Sequence, residues 1–210
     1  GLLGAGLSCD AYHPAAPHPD GEGAAAAMRA ALADAGLRPK DIGYVNLHGT
    51  GTPDNDLAES KAVRRIFTDL PPLSSIKGAT GHSLAAAGAI EAVVSAIVVS
   101  RHILPANTGL QQVDPLLGLT PLVAPAEGPV KAVLSNSFGF GGNNGSLVIG
   151  RPGLSVPGRP PPGGGLAIHG YSCLTGAGDR EATMRRLMSD GSAAGMAGPE
   201  TISKDLPPQL

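Results

Sequence analysis

Two imidazoles and one amine stand where short apolar runs end: His48 after Ile42–Leu47, Lys77 after Leu73–Ile76, and His82 a few residues beyond Lys77. Strand ends and helix starts are the places from which α/β proteins present their sites. Imidazole can hold or release a proton near neutral pH, and its neutral form can donate a hydrogen bond to a developing oxyanion. His82 would sit at the mouth of an apolar helix, whose dipole disfavours the imidazolium form. Lys77 could add positive charge to the same cavity. Such a set suits an enolate or a tetrahedral oxyanion. Singly, each has a plain structural reading: a satisfied histidine after a strand, an exposed lysine. Gly141-Gly142-Asn143-Asn144 likewise reads as a hairpin turn, since a glycine-rich turn alone is a weak phosphate signal. Their order and spacing together carry the chemical reading.

The elements that must position these groups follow from periodicity and punctuation. Residues 1–20, broken by Gly4, Gly6, Pro14, Pro17 and Pro19, read as a loop. Glu22–Ala35 reads as a helix with Met28, Ala31, Leu32 and Ala35 on one face and Gly36 as terminator. A strand over 42–47 leads into the turn-rich Gly49-Thr50-Gly51-Thr52-Pro53. Asp56 and Glu59 have capping-box spacing and are expected to open a helix through Phe67. A strand over 73–76, a loop at Gly78–Gly81 and an apolar helix from Leu84 follow. Strands over 130–135 and 146–149 are expected to flank the turn at Phe138–Gly142. This pattern indicates an α/β fold with a mixed sheet. Pro152–Gly165 reads as a linker. A strand over 166–171 and a helix over 180–189 come after it, in a block too small to fold well alone.

Composition narrows the function classes. The chain has 210 residues, a net charge of −2 and no basic stripe, which argues against nucleic acid and against an anionic membrane as partners. Aromatics are 3% of residues, so a core of Ala, Val, Leu and Ile must pack closely. Cys9 and Cys173 lie far apart, outside any CxxC spacing, and support neither a disulfide framework nor a metal site. The apolar run from Leu84 to Val99 is shorter than the roughly 20 residues a membrane span needs and carries Glu91 at its middle. It reads instead as a helix buried inside a layered protein. No leader is visible, and a cytoplasmic location is the expectation.

Three segments in order resemble the β-ketoacyl synthases. Tyr44-Val45-Asn46-Leu47-His48-Gly49-Thr50-Gly51-Thr52 is similar to their HGTGT segment. Lys77-Gly78-Ala79-Thr80-Gly81-His82-Ser83 resembles their K-x-x-x-G-H segment, and Ser135-Asn136-Ser137-Phe138-Gly139-Phe140-Gly141-Gly142-Asn143 their late glycine loop. The resemblance covers residues 1–151, identified as the C-terminal half of such a synthase. It implies a thiolase-like layered fold with a buried central helix. It implies catalytic roles for His48, His82 and Lys77: the histidines bind a malonyl thioester and stabilise the enolate formed as carbon dioxide leaves, while Lys77 acts electrostatically near the second histidine. Thr50 and Thr52 would hydrogen-bond the phosphopantetheine arm of an acyl carrier protein. Phe140 would act as a gate, its backbone N–H completing an oxyanion hole. Glu59 is left a structural role through its capping box. The implied partners are acyl carrier protein, acyl and malonyl thioesters, and a second synthase-like subunit in a homodimer or heterodimer. The implied chemistry needs no metal or organic cofactor beyond the phosphopantetheine that the carrier brings.

One departure is plain. The family attacks with a cysteine set between small residues in the N-terminal half, and neither Cys9 nor Cys173 has such neighbours. The chain is therefore expected to be cut at both ends and inactive alone. Leu166–Thr175 resembles the opening strand of another synthase. That suggests either the start of a second synthase-like domain over 166–210 or a circular permutation of the halves. Pathway stays open between fatty acid, polyketide and aryl-polyene types, with Asn55-Asp56 leaning to the last. Two other readings also stay open: a non-catalytic subunit that shapes a partner's cavity, as chain length factors do, and a thiolase-like enzyme using coenzyme A thioesters.

Overall fold

The computed structural model describes residues 1–151 and Leu154. The elements in chain order are β1 (Leu2–Cys9), α1 (Glu22–Ala35), β2 (Tyr44–Asn46), α2 (Pro53–Ile66), β3 (Leu73–Ser74), α3 (Lys77–Thr80), α4 (Ala87–Arg101), β4 (Ile103–Leu104), β5 (Ala126–Glu127), β6 (Ala132–Gly139) and β7 (Asn143–Gly150). A five-stranded sheet runs in the order β1-β7-β6-β2-β3, and β4 pairs with β5 in a separate ribbon. β1, β7 and β6 are antiparallel neighbours, whereas β6, β2 and β3 run parallel. The sheet is therefore mixed, as the alternation of strands and helices requires.

Helices cover both faces. On one side Met28, Ala31 and Leu32 of α1 and Ala62 and Val63 of α2 pack on Val45, Ala132, Leu134 and Val148. On the other, Val98 and Val99 of α4 meet Tyr44, Val133 and Ile149. α1 is alanine-rich and closes at Gly36, which takes the left-handed conformation at φ 63°.

The first segment differs from its reading as a loop. Residues 2–9 form an eight-residue edge strand. Its glycines are not breakers but a consequence of close approach. A Cβ at Gly6 would lie 2.1 Å from the Ala27 carbonyl oxygen and 2.4 Å from the Ala31 nitrogen. One at Gly4 would lie 2.5 Å from the Ala31 oxygen. The helix lies directly on the strand because neither surface carries a side chain larger than methyl at the crossing.

Two further differences concern helices. α2 starts at Pro53 with Thr52 as N-cap, so Asp56 and Glu59 lie inside it and form no capping box. The proline favours this earlier start, since its missing N–H is no loss in the first turn. The run from Leu84 to Arg101 is long and apolar enough to pass for a membrane span by length and composition. Its sheet-facing side is buried through Ala87, Glu91, Ser95, Val98 and Val99, while Leu84, Ile90 and Val93 are exposed. The described residues supply a sheet on one side of α4 only, so burial is one-sided. The linker 152–165, apart from Leu154, and the block 166–210 with Cys173 lie outside the described residues.

Replacing Gly6 by Ala is expected to cost roughly 1–3 kcal/mol by forcing α1 off β1. Replacing Gly145, where a new Cβ would meet Leu7 Cδ2 at an ordinary 3.5 Å, should change stability by no more than about 0.5 kcal/mol. Urea unfolding of both variants checks the contrast, and equal losses would refute the close-packing account.

Candidate functional site

β2 ends in a backbone held by one carboxylate. The N–H groups of His48 and Gly49 donate to Glu59 Oε1 at 2.9 Å and Oε2 at 2.8 Å, respectively. Asn136 Nδ2 of β6 donates to the same Oε1 at 3.2 Å, and Ser146 Oγ of β7 donates to Asn136 Oδ1 at 2.9 Å. Glu59 thus ties α2 to the end of β2 and, through Asn136, to the middle of β6 and β7. This corrects the capping-box account: α2 turns Glu59 into the protein, not back along its own axis. Burial pushes the Glu59 carboxyl up to about 7, against the pull of these hydrogen bonds. The chain turns immediately at Gly49, with φ 44°, where a Cβ would lie 2.5 Å from Ser75 Cβ.

His48 is 5% exposed, and beneath it lies Lys77. The Lys77 ammonium contacts His48 Nδ1 at 3.3 Å, donates to the His48 carbonyl oxygen and pairs with the Glu91 carboxylate of α4. Lys77 and Glu91 are 8% and 1% exposed, so this is a buried ion pair. Burial raises the Glu91 carboxyl, which Lys77 draws back down. The single turn of α3 sends the lysine under β2. Lys77 therefore acts on the first histidine, His48, whereas the sequence reading set it beside His82.

Both rings take up the same tautomer. An ammonium cannot accept a hydrogen bond, so His48 Nδ1 is the acceptor and Nε2 carries the proton. Burial first, then Lys77 and then His82 lower the His48 imidazolium to about 3, so the ring is neutral near pH 7. His82 Nδ1 accepts the Leu84 N–H at 3.1 Å, which places its proton on Nε2 as well. The two rings stand edge to face with centroids 5.6 Å apart and planes at 85°. His82 is exposed, and Phe138 packs on His48 at 5.8 Å. Two imidazole N–H donors close together can share one developing oxyanion.

Among the described residues no hydrogen bond or ring contact joins the remaining sequence candidates to this pair. The Thr50 and Thr52 hydroxyls are 2.9 Å apart at the start of α2, and Thr52 is exposed. Phe140, at the hairpin tip, is 81% exposed; the aromatic ring against His48 is that of Phe138. Cys9 is not in a loop but ends β1, exposed, with Sγ 3.6 Å from the Gly141 carbonyl oxygen. Among the described residues no group of three or more His, Cys, Asp or Glu is placed to hold a metal. Sequence reasoning missed Glu91, Asn136 and Phe138 as site residues. Glu91 did leave a signal, being the one charge within an apolar run.

Comparison with known proteins gives a consistent picture. The β-ketoacyl synthase C-terminal domain family matches residues 1–111. The 3-oxoacyl-[acyl-carrier-protein] synthase 2 of Vibrio cholerae is 43% identical over 71% of this chain and 38% of its own length. A solved ketosynthase in complex with its chain length factor from Xenorhabdus doucetiae is 48% identical, with a TM-score of 0.65 over 71% of this chain and 38% of that one. A structure of a type II PKS acyl-carrier protein in complex with its ketosynthase is 32% identical, with a TM-score of 0.68 over 70% of this chain and 37% of that one. The chain thus spans somewhat more than a third of the length of the relatives it matches.

The Glu59 carboxyl, raised in the folded protein, makes the folded state bind a proton that the unfolded chain has already released. Its contribution to stability is therefore full below about pH 4.5 and is lost as pH rises through about 7. His48, lowered in the folded state, acts in the opposite sense between about pH 3 and 6.5. The Glu59 part is read as the difference between wild type and Glu59→Gln. That stability difference should shift in favour of the Gln variant as pH rises from 4.5 to 7. A difference independent of pH in urea unfolding would refute the raised carboxyl.

Proposed function

Because the chain belongs to the β-ketoacyl synthase family, through that family's C-terminal domain, we propose that residues 1–151 supply the malonyl-decarboxylating half of a 3-oxoacyl-acyl-carrier-protein synthase. The observation that carries this reading is the pair of imidazoles with centroids 5.6 Å apart, each with Nδ1 engaged by the protein so that Nε2 is left to donate.

In this reading the two Nε2–H groups of His48 and His82 donate to the carbonyl oxygen of a malonyl thioester. The bond from the α-carbon to the carboxylate breaks, carbon dioxide leaves, and its electron pair becomes the enolate that the two donors stabilise. The α-carbon then attacks the carbonyl of an acyl thioester held on an enzyme thiol, and the thiolate departs. Lys77 orients His48 and helps burial to keep it neutral, and Glu59 fixes the backbone from which His48 projects. Thr50 and Thr52 hydrogen-bond the phosphopantetheine arm that enters on an acyl carrier protein. Phe140, exposed at the hairpin tip, closes over the acyl thioester. The chemistry calls for no metal or organic cofactor. The thiol belongs to the N-terminal half that the family resemblance implies, and exposed Cys9 is not its counterpart. Residues 166–210 begin a second synthase-like domain, and the working assembly is a dimer of synthase-like subunits. Retention of His48, Lys77 and His82 opposes a purely cavity-shaping role for residues 1–151.

In a complete synthase containing this segment, His82→Ala should slow carbon dioxide release from malonyl-carrier by about 100-fold or more, the scale of losing an oxyanion donor. Circular dichroism should be unchanged, because His82 is exposed. Undiminished carbon dioxide release would sink the proposal. Cys9→Ala should leave condensation intact, and a large loss there would overturn the placing of the nucleophile elsewhere.

A further inference from the structure

The end of the sheet opposite the histidines brings two cations and an imidazole together. Among the described residues Glu127, next to the Gly128 that bonds His102, forms no ion pair with them. Arg151 N donates to the Lys131 carbonyl oxygen at 3.0 Å, continuing the β6–β7 ladder one step past the Ala132–Gly150 pair. Lys131 and Arg151 therefore face each other, and residues directly opposite in an antiparallel pair put their side chains on the same face. Ala132 points into the α1 side of the core and Val133 into the α4 side. By alternation Lys131 and Arg151 lie on the α4 side. Like charges in this arrangement repel.

At that face stands His102, the C-cap of α4, in the left-handed conformation at φ 60°. Its carbonyl oxygen accepts the Gly128 N–H at 3.1 Å, and its Nδ1 accepts the Val130 N–H at 3.3 Å. Its Nε2 contacts the Arg151 guanidinium directly. With Nδ1 accepting, a neutral ring carries its proton on Nε2, so a donor meets a guanidinium that has no acceptor. The other neutral tautomer lets Nε2 accept from Arg151 but sets Nδ1–H against the Val130 N–H, and a charged ring opposes donors at both contacts. No protonation state gives both contacts an acceptor. Among the described residues neither Lys131 nor Arg151 has a carboxylate partner.

We propose that His102, Lys131 and Arg151 form a binding site for a phosphate group, at the far end of the sheet from His48 and independent of the reaction assigned there. An oxygen that replaces the direct contact, with the exposed Arg151 side chain turned aside, accepts from both Nε2–H and the guanidinium, and a further oxygen accepts from the Lys131 ammonium. A tetrahedral oxyanion supplies these acceptors more readily than a carboxylate, which has only two oxygens. The C-terminal end of α4 opposes an anion with about half an elementary charge. The guanidinium and ammonium outweigh it.

The test is calorimetric titration of the full chain with inorganic phosphate and, separately, with phenyl phosphate, at fixed ionic strength. Saturable binding is expected, weakened at least about tenfold by Arg151→Met and by Lys131→Met and unchanged by Arg29→Met, an exposed position on α1 beside Cys9 at the other end of the sheet. Equal binding of both probes marks a site for an esterified phosphate group, and binding of inorganic phosphate alone marks a site for the free ion. Circular dichroism verifies that the variants fold. Should Arg151→Met not fold, Lys131→Met decides, since its side chain is exposed. Absence of saturable binding, equal affinity in the Lys131→Met protein, or equal competition by acetate would each overturn the proposal.

Discussion

The arrangement of the site depends on one ammonium buried where little water can reach it. Lys77 sits between the end of β2 and the inner side of α4, pairing with Glu91 and contacting both the ring and the carbonyl of His48. Taking two charges out of water costs several kcal/mol per ion, and their attraction repays this only with good geometry and further hydrogen bonds. Such a pair adds little to stability compared with an apolar contact. It does exact a single relative placement of strand and helix, because separating the two groups would leave an uncompensated charge inside. That placement sets the His48 tautomer, and burial first, then the positive charge, keeps the ring neutral.

Glu59 works on the same strand end from the opposite side. It takes two backbone N–H groups that the turn at Gly49 would otherwise leave without partners inside the protein, and an unmade buried hydrogen bond costs about 1–3 kcal/mol. Asn136 and Ser146 extend this network across β6 and β7. His48 is therefore held from below by charge and along its backbone by a carboxylate. His82, by contrast, is anchored locally, through the N–H of Leu84 two residues on. One ring is rigidly seated and the other stands at the surface.

Packing around the site follows a different rule. α1 rests on β1 through Ala27, Ala31, Gly4 and Gly6, with no large side chain between them. α4 departs from an ordinary amphipathic helix: its buried side mixes Glu91 and Ser95 with Ala87, Val98 and Val99, while Ile90 and Val93 are exposed. The buried Glu91 is there for Lys77, and so for the site. The outward apolar residues of α4 account for the apolar run seen in the sequence.

The mixed sheet, the helix from Glu22 to Ala35, the apolar helix that leads to Arg101, the closing pair β6 and β7 and the three motif segments were legible in the sequence, while β1, α3, β4 and β5 were not. The legible ones rest on local signals: periodicity, glycine and proline punctuation, and residue types at fixed spacing. The pairing of His48 with His82 was implied by the resemblance of their two motifs, and in the fold β2 and β3 run parallel, so the chain leaves both on the same side of the sheet. What local signals could not carry were the contacts that depend on neighbours far along the chain. The glycines of β1 read as a loop because only the arrival of α1, more than a dozen residues later, makes them necessary. Glu59 read as a cap because its true partners, the N–H groups of His48 and Gly49 and the amide of Asn136, meet it only once β2 and β6 lie side by side. Lys77 lies closer in sequence to His82 yet serves His48, since a one-turn helix redirects its side chain beneath β2. Residue chemistry and spacing determined which groups are available; the low-dielectric interior, where every charge and N–H must find a partner, decided which of them meet.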